Sequence, residues 1–324
     1  MKLMPVTSSK FIWITIGFYW LISSIAQADP IKIAVSLSPL STPVIIAKQQ
    51  GFFTQYGVDV ELLTTIGGNA CLERLLNNEV DLATTSDSAI MFMSFSRQDF
   101  RVLANISSSD NDIKLYTQDN SGIHAPKDLI NKNVGIVKHS ASEYLIDQLL
   151  LLHGLESSQI KRRYYSADKL ANALLTGEVD AVSIWEPYGY RLQANNPSVR
   201  LAFDTQVLSL LSFSLVTQEK LANSLQWPAI LQAINAANLF ILSNEAESQR
   251  VVQAFLGVDA KELTSLWPDY RFRLSSSEFL LAQLKNSAHW ALTTGIVSST
   301  IMPDFDQIIH SQALDTQRLI TDEL

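Results

Sequence analysis

Hydrophobic and polar positions along the chain repeat one pattern twice. The segment Leu75–Ala83 recurs 99 positions later as Leu174–Val182, and each copy predicts a helix end, a tight turn and a buried strand. Corresponding apolar strands precede the two copies: Ile31–Val35 with Val134–Val137, and Val58–Leu63 with Ile160–Tyr165. A βαβαβ unit used twice predicts two similar α/β lobes, and a cleft between lobes is a common place for a small ligand.

Turn and capping residues bound the predicted helices. Thr42 is a suitable N-cap before Pro43 in the first helical position, and Gly51 stops that helix as Gly154 stops the helix Ser142–His153. From Glu219 onward the pattern is helical. Five helices are predicted there: Pro228–Asn244, Ala246–Leu256, Asp259–Leu266, Ser276–Thr293 and Asp304–Gln317.

The N-terminus has the three parts of a secretory signal peptide. Lys2 and Lys10 form a basic region, Phe11–Ile22 is apolar, and Ala26-Gln27-Ala28 is a cleavage site of the A-x-A type. Residues 1–28 are therefore predicted to be removed, with cleavage after Ala28 and export to the periplasm. No cysteine stands directly after that site, which argues against a lipid anchor.

Composition and charge exclude several classes of function. The chain is 47% hydrophobic and 17% charged, as in globular proteins. Removal of residues 1–28 takes away two lysines and no acid, which moves the net charge from −8 to −10. An acidic surface argues against a nucleic-acid partner. Cys71 is the only cysteine, cannot form an internal disulfide, and is predicted to be a small buried apolar residue.

Loops at the carboxyl ends of the predicted strands are the candidate ligand contacts. In open α/β sheets, ligands bind beyond these ends, near helix N-termini whose free N–H groups suit anionic or polar groups. The rule selects six loops: Ser36–Ser41, Gly67–Asn69 and Thr84–Asp87 in the first unit, and Lys138–Ser142, Ser166–Asp168 and Trp185–Tyr188 in the second.

Each candidate side chain in these loops also has a purely structural interpretation. Serines such as Ser38 and Ser86 could simply cap helices, and two adjacent glycines could simply make a turn. His139 and Ser140 lie at a predicted helix start, where hydroxyl and N–H groups converge. Trp185 ends a strand that faces the predicted cleft but could belong to the core. Its neighbour Glu186 needs a partner or water, and could accept a hydrogen bond from an amine or ring N–H of a ligand.

Catalytic and metal motifs are absent from the sequence. It contains no G-x-S-x-G, H-E-x-x-H or P-loop pattern, and its five histidines lack metal-ligand spacing. No catalytic residue, metal or cofactor is expected, and the chain is predicted not to be an enzyme.

Three segments resemble the periplasmic solute-binding proteins of ABC importers, in the branch that serves nitrate, sulfonates, taurine and thiamine-pyrimidine precursors. They are Pro43–Val60, then Lys127-Asp128-Leu129 with Asn133–Val137, then Gly177–Ala181 with Trp185-Glu186-Pro187. The resemblance implies a two-lobed type 2 periplasmic-binding fold with a hinge and an interlobe cleft. It places lobe 1 at residues 29–116 plus 213–324 and lobe 2 at 117–212.

The resemblance also implies a ligand-binding set and a mode of action. Matching loops place contacts at Ser38, Gly68, Asn69, Ser86, Ser140, Trp185 and Glu186, and the residues themselves add His139. The lobes are expected to close on a small polar organic solute, and the closed form to dock on an inner-membrane permease. A monomer is expected. Two alternatives stay open: a periplasmic module that reports its ligand to a signalling protein, and a secreted enzyme, for which His139 beside Ser140 is the one mild candidate.

Overall fold

The computed structural model describes residues 29–206, 208–275 and 277–310, so the predicted signal peptide lies outside the described residues. The strands are β1 Ile31–Ser36, β2 Val60–Thr65, β3 Leu82–Ser86, β4 Phe100–Ser109, β5 Ile113–Gln118, β6 Asn133–Ile136, β7 Lys161–Tyr164, β8 Ala181–Trp185, β9 Val199–Leu201, β10 Leu211–Gln218 and β11 Tyr270–Ser275. The α-helices are α1 Thr42–Gln49, α2 Phe52–Gln55, α3 Gly68–Leu76, α4 Asp87–Ser94, α5 Ala141–Leu152, α6 Ala167–Leu175, α7 Tyr188–Asn195, α8 Trp227–Ser243, α9 Glu245–Leu256, α10 Ala260–Leu266, α11 Ser277–Thr293 and α12 Phe305–Ile308.

The described strands form two sheets, as the repeated sequence unit predicts. The first has the order β11-β4-β10-β3-β1-β2 and the second the order β7-β6-β8-β5-β9. In each sheet the strands of the βαβαβ unit are parallel: β1 pairs with β2 and β3, and β6 pairs with β7 and β8. The carboxyl ends of the parallel strands therefore lie along one edge of each sheet. The two sheets with their helices are called the first and second lobes below.

Sheet membership places the crossings between the lobes a few residues away from the expected borders. The border predicted at 116/117 falls inside β5, which belongs wholly to the second sheet. The chain crosses after β4 ends at Ser109 and before β5 begins at Ile113. It returns between β9 and β10, and β10 begins at Leu211.

The helical C-terminal part contains one strand that the sequence did not predict and one helix that is shorter than expected. β11 is an edge strand that pairs antiparallel with β4, in a part of the chain where the sequence pattern predicts only helices. The helix expected at Asp304–Gln317 ends at Ile308, because Ile309 forms a parallel bridge with Val102. Residues 311–317 of that prediction lie outside the described residues.

The largest core cluster joins the two lobes. In the first lobe it packs α1 and α8 on the sheet through fully buried residues such as Val44 and Ile234. Ala141 and Leu145 of α5, in the second lobe, belong to the same cluster. Cys71 has no exposed surface, as predicted, and burial raises the pKa of its thiol to about 12. No helix within the described residues is long and apolar enough to cross a membrane.

Candidate ligand-binding site

The candidate residues of the first lobe gather at the carboxyl ends of β1, β2 and β3. Ser38 accepts a hydrogen bond from the backbone N–H of Leu40 (3.2 Å) and so caps a short 3₁₀ turn. Ser86 caps α4, accepting from the N–H of Ala89 (3.2 Å). Both hydroxyls remain partly exposed, so capping leaves them accessible.

Gly68 brings the second and third loops of this lobe together. It begins α3, and a Cβ atom at this position would lie 2.9 Å from the backbone nitrogen of Ser86. The Thr85 hydroxyl donates to the Gly68 carbonyl oxygen (2.9 Å), which joins the same two loops. Glycine is required here because only a residue without a side chain permits this approach. The neighbouring Asn69 is exposed.

The candidate residues of the second lobe lie at the start of α5. Ser140 is the N-cap, is 7% exposed, and donates to the Val137 carbonyl oxygen (2.7 Å). His139 has the left-handed backbone conformation (φ 53°), and its N–H donates to Glu143 Oε2 (2.9 Å). Glu143 is buried and paired with Arg162 (3.1 Å), so its carboxylate is a fixed acceptor for the backbone of this turn.

These two groups of loops meet across the space between the lobes. The His139 ring stacks on Phe92 of α4, with ring centroids 5.0 Å apart and an angle of 30° between the planes. Ala141 packs in one cluster with Leu40 and Phe213, and Trp185 at the end of β8 packs against that cluster. The structure thus brings His139 against α4 of the first lobe, and Ala141 and Trp185 against the first-lobe core.

A small cavity lies between α4 and α5, and none of the eight predicted ligand contacts lines it. Its volume is about 20 Å³, which suits one water molecule. Asp87 and Met91 of α4 line it from the first lobe, and Ala141 and Tyr144 of α5 from the second. The cavity between α4 and α5 is therefore too small for a solute of several heavy atoms.

Two polar contacts hold the lobes together beside the cavity. The Trp290 Nε1–H of α11 donates to Asp147 Oδ2 of α5 (2.8 Å, buried). Further along the junction, Arg191 of α7 donates through Nε to both carboxylate oxygens of Glu262 in α10, at 3.1 and 3.0 Å. Each pair joins a second-lobe helix to a first-lobe helix.

Glu186 lies beneath the cleft, with an internal set of partners. It is 2% exposed; its Oε1 accepts from Lys114 Nζ (2.9 Å) and from the Tyr116 hydroxyl (3.1 Å). Its Oε2 accepts from the Tyr190 backbone N–H (2.7 Å). In this conformation both oxygens serve protein donors, so Glu186 fixes the chain after Trp185 and is not directed at the cavity.

Glu186 is part of a buried ionic group, here named the crossing cluster, that comprises Asp112, Lys114, Glu186 and Asp269. Lys114 also contacts Asp269 Oδ2 (3.4 Å), and the Tyr270 hydroxyl donates to Asp112 Oδ1 (2.9 Å). Burial, followed by the charge of Glu186, raises the pKa of Asp112 to about 7. Burial lowers the pKa of Lys114. The charges and hydrogen bonds of Glu186 and Asp269 have the opposite effect and are larger together, so the pKa of Lys114 is raised. Within the described residues no group of three or more His, Cys, Asp or Glu side chains could hold a metal ion.

Asp87 lines the cavity but is not among the eight predicted contacts, although the loop Thr84–Asp87 is one of the six predicted ligand-contact loops. Ser86 is the N-cap of α4 and Asp87 its first residue. The side chain is 6% exposed, and burial raises the pKa of its carboxyl to about 7. Backbone N–H groups of Ser88 (2.6 Å) and Ser212 (3.1 Å) donate to it, which favours the ionised form against burial.

A larger open groove is lined by residues of both lobes but shares none of them with the small cavity. It measures about 570 Å³ and is lined by Lys138, Arg162 and Tyr164 of the second lobe and by Gly295 and Ile296. Arg162 is already paired with Glu143 and Asp147. The cleft, where strand ends and helix N-termini of both lobes converge, is therefore the better candidate site.

Two mixed α/β sheets facing each other across a cleft define the fold of the two-lobed periplasmic binding proteins. A family model confirms the relationship: residues 38–248 match the NMT1/THI5-like family, and the chain belongs to it. The resemblance stated from the sequence is thereby confirmed for the family and the fold.

Known relatives connect this fold with sulfonates. The chain is 27% identical over 164 residues to a putative aliphatic sulfonates-binding protein of Bacillus subtilis (strain 168), and the match spans 48% of each chain, about half the relative's length. The alkanesulfonate-binding protein SsuA from Xanthomonas axonopodis pv. citri, bound to MOPS, shares the fold with a TM-score of 0.75 at 18% identity, covering 88% of this chain and 99% of SsuA. The desulfurization enzyme DSZB shares it as well, with a TM-score of 0.66 at 16% identity, covering 90% and 99%.

Proposed function

We propose that the chain is the periplasmic solute receptor of an ABC importer and that it captures a small organic sulfonate between its lobes. The observation that carries the proposal is the cavity between the lobes, which is lined by α4 and α5, the helices that follow β3 and β6. Membership of the NMT1/THI5-like family and the names of the sulfonate-binding relatives support the same solute class.

The proposed contacts come from both walls. Ser38, Gly68, Asn69 and Ser86 would supply hydroxyl, amide and backbone N–H groups from the first lobe. His139 and Ser140 would supply the N-terminus of α5 from the second lobe, where the helix dipole favours an anionic head group. Trp185 would pack on the apolar part of the solute. Glu186 would act through Lys114, Tyr116 and Tyr190 by fixing the position of Trp185 and not by touching the solute.

The proposed mechanism is hinge closure about the crossings between β4 and β5 and between β9 and β10. A solute that contacts both walls binds the closed form more tightly than the open form, so it shifts the population toward closure. The closed receptor would then dock, as a monomer, on an inner-membrane permease. The predicted signal peptide at residues 1–28 would deliver the chain to the periplasm.

A secreted enzyme is the alternative to a receptor, because the desulfurization enzyme DSZB shares the fold. The geometry of His139 and Ser140 does not favour it. The Ser140 hydroxyl donates to the Val137 carbonyl oxygen, so its proton is not directed at the imidazole. The His139 Nε2 instead lies 3.4 Å from the Ile296 carbonyl oxygen. A nucleophile needs a base within hydrogen-bond reach, and this pair lacks that arrangement.

Thermal unfolding of residues 29–324 with a panel of alkanesulfonates, aminosulfonates, nitrate and aminopyrimidines tests the proposal. A ligand present at 100 times its Kd adds about 2.7 kcal/mol to the free energy of unfolding. A sulfonate that raises the unfolding midpoint and is recovered intact supports a receptor. A sulfonate recovered chemically changed would instead establish an enzyme, and a panel in which only non-sulfonates bind would reject the solute class.

A pair of capping variants tests the location of the site. Ser86→Ala and Asp259→Ala each remove an N-cap side chain, the first at the cleft and the second at α10. Both should lower the free energy of unfolding by about 1 kcal/mol. Only Ser86→Ala should weaken solute binding, and equal affinity in the two variants would place the site elsewhere.

A further inference from the structure

The carboxylate of Asp87 lies at the cavity wall without a positive partner. Its hydrogen-bond donors are the backbone N–H groups of Ser88 and Ser212 and the side-chain amide of Gln283, all of them neutral. No ion pair of the described part of the chain includes Asp87, in contrast to the buried acids Glu143, Asp147, Glu186 and Glu262. Asp87 is thus a buried acid whose counter-charge the described residues do not supply.

Burial of an uncompensated carboxylate is costly, and such groups are normally paired with a cation or become neutral. The raised pKa of Asp87, about 7, reflects that cost, and the neutral donors only partly offset it. A ligand cation placed in the cavity would remove the cost by supplying the missing charge. Because Asp87 faces the second lobe across the cavity, this gain would be available only with the solute between the lobes.

We propose that Asp87 receives the protonated amine of the solute, so that the receptor selects aminosulfonates over sulfonates that lack an amine. The inference rests on the proposed function and names the subclass of solute. The two ends of such a zwitterion match the two walls: the amine meets Asp87 at α4, and the sulfonate meets the N-terminus of α5 at Ser140. A plain alkanesulfonate would leave Asp87 without a counter-charge between the lobes.

Isothermal titration with matched solutes tests this selection. 2-Aminoethanesulfonate and 2-hydroxyethanesulfonate differ only in an ammonium against a hydroxyl, and the 3-carbon homologues form a second pair. The wild-type chain, residues 29–324, should bind the amino member of at least one pair tenfold or more tightly than its hydroxyl partner. Asp87→Asn should abolish that preference by weakening binding of the amino member alone.

Asp112→Asn is the matched control, because Asp112 is also a buried acid with a pKa raised to about 7 but lies in the crossing cluster, outside the cavity. It should keep the preference for the amine. Equal wild-type affinity for the two members of each pair, or a preference that survives Asp87→Asn, overturns the inference and leaves the sulfonate receptor standing. Absence of binding by every sulfonate overturns the proposed function together with the inference.

The pH dependence of the wild-type chain supplies a measurement that needs no variant. Tyr144 of α5, Ser212 of β10 and Gln283 of α11 face Asp87, and of these only Tyr144 titrates, with a pKa raised above its ordinary value of 10. Among the residues that line the cavity, Asp87 is therefore the one whose pKa lies between pH 5.5 and 8. The amine preference should rise tenfold or more over this interval, and a constant preference would refute the role of Asp87.

Discussion

Asp112 should make the protein less stable as the pH rises through neutrality, and Asp112→Asn should remove that effect. The carboxyl has an ordinary pKa of 3.8 and a folded-state pKa of about 7. Its folded pKa is raised, so between these values the folded state binds more protons than the unfolded state. Stability then falls with increasing pH, and the loss is complete above pH 7. The asparagine variant should therefore gain stability relative to wild type as the pH increases.

The magnitude follows from the size of the shift. The difference between 3.8 and about 7 corresponds to about 4 kcal/mol at 1.36 kcal/mol per pKa unit. Of this, roughly 2–3 kcal/mol falls between pH 5 and pH 8, because part of the loss already occurs below pH 5. At about 2–4 °C per kcal/mol, the gap between the unfolding midpoints of variant and wild type should widen by roughly 5–10 °C.

Urea and thermal unfolding at pH 5 and pH 8 measure this gap. Asparagine keeps an oxygen that can accept from the Tyr270 hydroxyl, so the substitution changes charge with little change in packing. Asp128→Asn is a control of opposite sign: backbone N–H groups of His124 and Ala125 lower the pKa of Asp128, so its stabilising effect is lost as the pH falls. A gap between Asp112→Asn and wild type that does not change with pH would refute the argument from burial.

Two further predictions concern the junction of the lobes. Trp290→Phe should lower the free energy of unfolding by about 2 kcal/mol, since a buried donor to the Asp147 carboxylate is lost, and small-angle scattering should show a larger radius of gyration. Trp227→Phe, which loses a donor within the first lobe, should not change the radius, and equal radii in both variants would reject the interlobe contact. Gly68→Ala should cost about 1–3 kcal/mol and weaken solute binding, because the new Cβ meets the Ser86 backbone; wild-type stability and affinity would contradict this close approach.

The sequence was sufficient to predict the repeated part of the fold. Period-two alternation, an N-cap followed by proline, and glycine stops are local signals, so the strands and helices of both βαβαβ units could be recognised from them. β11 was missed because Tyr270–Ser275 is short and stands between long helices. The helix expected at Asp304–Gln317 was too long, because the bridge from Ile309 to Val102 depends on a residue some 200 positions earlier.

The sequence predicts which loops form the candidate site, but not which of their side chains line the cavity and which are held by other protein groups. Ser38, Ser86 and Ser140 could be placed because strand ends and helix starts are local features. Two of the three partners of Asp87 lie 125 and 196 positions away, and two of the three partners of Glu186 lie 70 and 72 positions away. Only the folded chain shows that Asp87 lines the cavity while Glu186 is fully engaged beneath it.

The position of β10 sets an order on the assembly of the molecule. This strand pairs with β3 on one side and β4 on the other, so residues after 211 complete the middle of a sheet whose other central strands end by residue 109. The second sheet needs only residues 113–201, which are contiguous. When the chain is synthesised from its N-terminus, the second lobe can therefore fold while the first sheet still lacks β10, the strand between β3 and β4. Long-range strand pairing of this kind is slow. The first lobe, which begins the chain, is therefore the last to complete its sheet.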